Sequence, residues 1–308
     1  MDFFEEMELE QLDEFDSNWT VESLNKTLDS LKAGQRLVID DLPNDIYHRC
    51  QGVSCSKLKV FIYDTPAKYK AKYIDKIIPE KEKDYFRFGN AAHTLVLEPH
   101  LFDSTYIKQP DHIKTRSGNE WDKCKARADS KGQIVLTASQ WEDIPILKQS
   151  IDNTPNALRL TRGGIAERSI FVRDKETGLI LKCRPDYMIK DLIVDVKTTK
   201  SANPKWVGHD FKKLGYHVQD AMYSDIANAS EFVFLAIESE IPFLITAPLR
   251  MSDRTKRLGY LEYRTALREL KECIDSGVWP GYTDELVSVD LNKYEQEKLN
   301  NMESGFYE

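Results

Sequence analysis

The chain has 308 residues, 41% hydrophobic and 31% charged, a soluble globular composition with ample material for a core. No apolar run approaches the roughly 18–20 residues that cross a bilayer, and Met1-Asp2-Phe3-Phe4-Glu5-Glu6 lacks the basic and apolar regions of a cleaved secretion signal. The net charge of -8 resides in residues 1–20, which hold eight acids and no Lys or Arg, so the remainder is neutral, which argues against a simple basic DNA-coating protein but not against a DNA enzyme whose positive charge is confined to one groove.

Residues 1–20 read as a disordered, solubilising acidic tail. Over Val53–Tyr73, Ser54 or Ser56 caps a helix carrying Leu58, Phe61 and Ile62, and Thr65-Pro66 breaks it before a second turn. Residues 84–98 read as a buried helix that Pro99 stops, with Gly89, Ala91 and Ala92 permitting close packing. Residues 115–150 read as helical and polar, anchored by Trp121 and Trp141.

The texture changes near residue 165. Ile165–Arg173 alternates as a strand, Asp174–Gly178 is a turn, Leu179–Ile189 is a second strand and Leu192–Thr198 a third. Helix returns at 203–229. Glu231–Glu238 and Phe243–Leu249 read as strands, and 252–277 as a long amphipathic helix carrying Leu258, Leu261, Leu267 and Leu270. These elements predict an α/β fold with a mixed sheet, the helical N-terminal portion forming a cap on it.

Chemistry concentrates in Arg184–Thr199. In a strand, Asp195 and Lys197 share one face with Ile193, while Val194 and Val196 point the other way. A charged pair on an apolar strand is costly unless it is paired or binds a metal. Asp186 ends the preceding strand and lies beside Asp195, and a divalent cation relieves the repulsion between the two carboxylates. Lys197 then orients a water or stabilises charge on a phosphate in flight. Spacing by itself favours a plain Asp–Lys salt bridge on an edge strand. The apolar setting, the hairpin and further residues favour the metal site. His93 lies four residues beyond Gly89 on the buried helix, where a hydrogen-bonded core histidine is the common alternative. Gln219 and Tyr223 share a helix face. Glu167 begins the first strand, as a solvent-facing acid or a further carboxylate of the cluster. Five cysteines, odd in number and without CxxC spacing, argue against a disulfide scaffold or zinc knuckle and fit a reducing cytoplasm.

The set Asp186…Asp195-Val196-Lys197 resembles the PD-(D/E)XK nuclease signature, with Pro185 supplying its proline. Gly89-xxx-His93 resembles the histidine helix of the RecB-like subgroup, and Gln219-xxx-Tyr223 its Q-x-x-x-Y motif. Within that subgroup the chain resembles the exonuclease VIII (RecE) C-terminal nuclease domain. The likeness covers Val53–Leu58, Thr65–Tyr69, Phe88–Leu95 and Glu167 through Tyr223. Each motif is weak alone; four in the family's order are specific.

The resemblance implies a restriction-endonuclease-like core, a central mixed sheet flanked by helices. Residues 21–308 would form a single exonuclease domain, helical at about 50–150 and catalytic at about 160–280. Asp186, Asp195, His93, the Val196 carbonyl and Glu167 would hold Mg2+ or Mn2+. Lys197 would be the catalytic lysine, with Gln219 and Tyr223 supporting it and the scissile phosphate. The activity implied is 5′-to-3′ digestion of duplex DNA ends, leaving a 3′ single strand for an annealing protein, by a homo-oligomeric ring in the cytoplasm. The alternatives are an endonuclease of restriction or CRISPR-associated type and an inactive nuclease-fold DNA-binding adaptor. Two departures stand out: Asp195 occupies a position where many relatives have Glu, and no four-cysteine iron–sulfur staple is present. Arg116, Lys123, Lys125, Arg127, Lys205, Lys212 and Lys213 are candidate DNA contacts.

Overall fold

A computed structural model describes residues 18–79 and 85–305, so most of the acidic segment, up to residue 17, and Asp84 lie outside the described residues. The first helix, α1 (Val21–Ser30), opens on a capping box in which Thr20 and Ser23 satisfy each other's amides. Strand β1 (Arg36–Ile39), helix α2 (Asn44–Arg49) and strand β2 (Val53–Ser54) follow. Ser54, not Ser56, caps α3 (Cys55–Tyr63), accepting from the Lys57 amide. Thr65 caps α4 (Pro66–Tyr69), which runs into one π-helical turn. Helix α5 (Tyr85–Leu97) buries Ala91, Ala92, Leu95, Val96 and Leu97.

The next stretch differs from its sequence reading. Helix α6 (Phe102–Thr105), strand β3 (Tyr106–Lys108), α7 (Asn119–Asp129), strand β4 (Ile134–Leu136) and α8 (Ala138–Asp152) succeed one another, followed by α9 (Pro155–Leu160). The helical stretch expected over 115–150 holds a short strand as well, because Ile134-Val135-Leu136 pairs in parallel with β3. Gly132, in a left-handed conformation, and the Thr137 cap isolate that apolar triplet from both helices. Trp121 is buried and Trp141 half-buried against Phe102.

The sheet strands are β5 (Ile165–Ala166), β6 (Ser169–Arg173), β7 (Ile180–Cys183), β8 (Tyr187–Ile189) and β9 (Leu192–Thr199). Helices α10 (Pro204–Lys213) and α11 (Tyr216–Ala227) cross over to β10 (Glu231–Glu238), and α12 (Asp253–Ser276) and α13 (Lys293–Glu303) complete the order. The expected helix over 203–229 is broken at Gly215, whose φ of +68° ends α10 and starts α11.

The strands form two four-stranded mixed sheets, β1-β6-β7-β2 and β10-β9-β8-β5, and the chain bends from one into the other. Two stretches of chain belong to both: one passes from β5 to β6 through Glu167-Arg168, the other from β7 to β8 through Arg184-Pro185-Asp186. Pro185 has no amide to give a ladder. Glu167 takes a φ of +50°, rare for a side chain of its kind, and its amide donates to Asp186 O at 3.2 Å. Strands β8 and β9 are antiparallel with Tyr187 opposite Val194, and β9 and β10 are parallel along their whole length. The strand expected at 243–249 is reduced to two bridges to β10, because Pro242 and Pro248 remove amides and Phe243 turns to φ +56°.

Helices cover both faces. Ile193 packs with Val207, Phe211, Val218, Met222 and Tyr263 on one side, while Val194 and Val196 pack with Ala91, Ala92 and Leu147 on the other. Helix α12 buries Tyr263, Leu267 and Leu270, whereas Leu258 and Leu261 are exposed. No helix among the described residues is long and apolar enough to cross a membrane.

Candidate metal and phosphate site

The strand alternation of β9 sends Asp195 and Lys197 to the same side, and register does the rest. Tyr187 lies opposite Val194, so Asp186 arrives beside Asp195 at the bend. The Val196 amide donates to Asp186 Oδ2 at 2.7 Å. From the facing helix α5, His93 Nε2 lies 3.0 Å from that same oxygen and 2.9 Å from the Val196 carbonyl. Helix α5 comes this close because Gly89 has no side chain: a Cβ there would sit 3.3 Å from Thr198 Oγ1 on β9. Glu167 completes the group, and single ligand atoms of His93, Glu167 and Asp186 lie within 4.8 Å of one another.

Next to this group, Lys197 Nζ lies 2.5 Å from Asp195 Oδ2, and Gln219 Nε2 donates to Asp195 Oδ1 at 2.5 Å. Asp195 is fully buried, and its Oδ2 lacks a hydrogen-bond partner of good geometry despite the nearby ammonium.

The electrostatics follow from burial and from the crowding of carboxylates. Burial, and then Asp186, push the Glu167 carboxyl up to about 7. The same two causes push Asp195 up to about 6. Burial opposes charge on Asp186 as well, but His93 and Lys197 outweigh it and hold that carboxyl below its ordinary value. Burial would lower the His93 imidazolium; the Asp186 carboxylate and the Val196 carbonyl raise it to about 9. Lys197 is raised too, since Asp195 and Asp186 overcome its burial. His93 Nε2 thus stands about 3 Å from two oxygens, Asp186 Oδ2 and Val196 O.

A small cation fits that place. Adjacent ligands of an octahedron with bonds of 2.0–2.1 Å stand about 3 Å apart, as His93 Nε2, Asp186 Oδ2 and Val196 O do from the nitrogen outward. The Glu167 carboxyl supplies a further oxygen donor within that group. Oxygen-rich ligands with one imidazole suit a hard divalent ion.

Seven of the residues singled out from sequence therefore converge: His93, Glu167, Asp186, Asp195, Val196, Lys197 and Gln219. Gln219 braces Asp195 rather than the lysine. Tyr223 lies one turn further along α11; its ring packs edge-on against Phe232 at 6.4 Å, and burial raises its hydroxyl far above the ordinary range. Arg116 is spent internally on Val135 O and Gln140 Oε1, whereas Lys205, Lys212 and Lys213 are exposed along α10. Two residues at the site escaped the sequence reading. The Tyr216 ring lies 5.0 Å from Lys197 Nζ and 4.9 Å from Lys59 Nζ. Tyr216 stands three residues before Gln219 on the same helix face, a signal that was available; Lys59 carried none.

A family model described as a PDDEXK-like domain of unknown function (DUF3799) matches residues 54–292. Among solved structures, a proposed exonuclease from Eubacterium rectale superposes with a TM-score of 0.57 at 13% identity, covering 83% of this chain and 98% of that one. A phage-related exonuclease from Haemophilus somnus 129PT gives 0.30 at 14% identity over 75% of this chain and 99% of that one. The first similarity supports the fold; the second is too low to bear on it. No curated relative matches.

Proposed function

This chain belongs to the PDDEXK-like family, and from that premise we propose that it is a metal-dependent deoxyribonuclease that digests duplex DNA from 5′ ends. The observation that carries this reading is the meeting of His93 Nε2, Asp186 Oδ2 and the Val196 carbonyl beside the Asp195–Lys197 pair. The exonuclease description of the Eubacterium rectale protein agrees with it.

His93, Asp186, Asp195, the Val196 carbonyl and Glu167 would hold Mg2+ or Mn2+. Such an ion lowers the pKa of water and neutralises charge on phosphoryl oxygens. The chain's own groups supply the rest. Asp195, fixed by Gln219, keeps the Lys197 ammonium charged and aimed. That ammonium donates to a non-bridging oxygen of the scissile phosphate as charge builds there. The buried carboxylates confine the attacking water to the side of the phosphorus opposite the leaving 3′ oxygen. Residues 21–308 act as one domain, assembled into a ring around DNA in the cytoplasm, and the 3′ single strand passes to an annealing protein.

The test is incubation of the full chain with linear, nicked circular and closed circular duplex plus magnesium. Loss of linear DNA alone, with release of nucleotides from the 5′ strand, is expected. Equal loss of closed circles would replace this reading with an endonuclease. Cutting retained by Lys197→Ala would remove the site assignment.

A further inference from the structure

Two ammonium groups share one aromatic ring at the edge of the site. Lys197 stands between Asp195, 2.5 Å away, and the Tyr216 ring, 5.0 Å away. Lys59, from α3, lies 4.9 Å from the centroid of that ring. The two nitrogens are therefore no more than 9.9 Å apart. Like charges repel at this range, and Lys59 is half-buried, so its placement is costly. Among the described residues no carboxylate forms an ion pair with it. It donates to the Leu214 carbonyl at 2.9 Å, leaving two of its three N–H groups for another acceptor.

The chain is shaped to admit this side chain. Gly215 follows Leu214 at φ +68°, and a Cβ there would lie 3.1 Å from Lys59 Cε and 2.9 Å from the Tyr63 ring. A residue other than glycine would displace the lysine stem. Tyr216 then fixes the distance between the two cations, its ring wedged between Phe211 at 4.9 Å and Phe234 at 5.9 Å.

Two separated cations next to a phosphate-cleaving centre match two successive anionic groups. Phosphates of one strand advance about 3.4 Å along the duplex axis and follow a longer path along the backbone, so two neighbours fit this span. We infer that Lys59 binds the backbone phosphate adjacent to the one engaged by Lys197, with Tyr216 as the spacer between them. This inference rests on the nuclease reading given above.

The experiment uses the full chain and blunt linear duplexes carrying one neutral methylphosphonate, placed in turn on either side of the first bond cut. Wild type, Lys59→Met and Lys59→Arg are compared by initial rate at low substrate and by binding in calcium. Wild type should lose roughly tenfold when the linkage on one particular side is neutral. Lys59→Met should lose a similar factor on ordinary DNA and no more on the modified DNA, with the salt slope of binding reduced by about one. Lys59→Arg should restore most of the loss. Losses that multiply, the neutral linkage costing Lys59→Met as much as wild type, overturn the inference while leaving the nuclease reading intact. A wild type that cuts no DNA overturns the nuclease reading and this inference with it. The neutral-linkage effect in wild type needs no mutation, so poor folding of a variant does not blunt the test.

Discussion

Each of the two four-stranded sheets carries an inward lysine on a strand, Lys182 buried and Lys197 half-buried, and the two are built differently. Lys182 on β7 is 2% exposed, and its ammonium donates to neutral acceptors, Tyr47 O at 2.6 Å and Cys50 O at 2.9 Å. Burial with no carboxylate partner lowers it from 10.5 to about 8. Lys197 on β9 faces Asp195 and, beyond it, Asp186, which raise it in spite of burial. Burial of a lysine is thus no mark of function. Lys182 straps the C-terminal end of α2 to its sheet, while Lys197 is a charge held beside carboxylates.

The comparison is broken most severely by removing each lysine in turn. Lys197→Met is expected to lower turnover on the order of a thousandfold with little change in melting temperature. Lys182→Met should leave turnover within a few fold. Comparable losses in both variants, measured by nucleotide release, would erase the distinction.

The pH dependence of stability sharpens it. Between pH 8 and 10.5 the unfolded chain binds more protons at Lys182 than the folded one, so stability at this residue rises with pH across that window. The unfolding free energy of wild type relative to Lys182→Met should therefore improve by up to about 3 kcal/mol from pH 7 to pH 10.5. Lys197, shifted the other way, contributes no such slope in that range. Parallel denaturation curves for wild type and Lys182→Met would refute this.

A smaller effect concerns the carboxylates beside Lys197. The raised Glu167 stabilises the ion-free fold fully below its ordinary 4.5, a contribution lost as pH rises through about 7. Magnesium should reverse that loss, adding on the order of 1–3 kcal/mol at saturation and a few degrees of melting temperature at pH 8, and much less at pH 5. Glu167→Gln should flatten both trends in calorimetry. The smallest change is expected far from either lysine: helix α13 buries no residue, so ending the chain at Asn292 should alter unfolding by less than about 0.5 kcal/mol.

Much of the site could be read along the chain. The period of two placed Asp195 and Lys197 on one side, the hairpin brought Asp186 to Asp195, and the spacing of Gly89 and His93 pointed to a close helix approach. The misreadings have local causes. Ile134-Val135-Leu136 was too short to stand out between two helices, and the apolar residues at 243–249 outweighed prolines that remove ladder amides.

The sequence by itself determined the caps, the strand alternation and the identity of the carboxylates, because these depend on neighbours within a turn or a pleat. Only the tertiary structure decided that His93 meets Val196 across 103 residues, that Glu167 sits at a bend between the two sheets, and that Tyr216 separates two ammonium groups. Those contacts follow from how helices seat on a twisted sheet, where the fit of distant side chains rather than any local period sets which atoms touch.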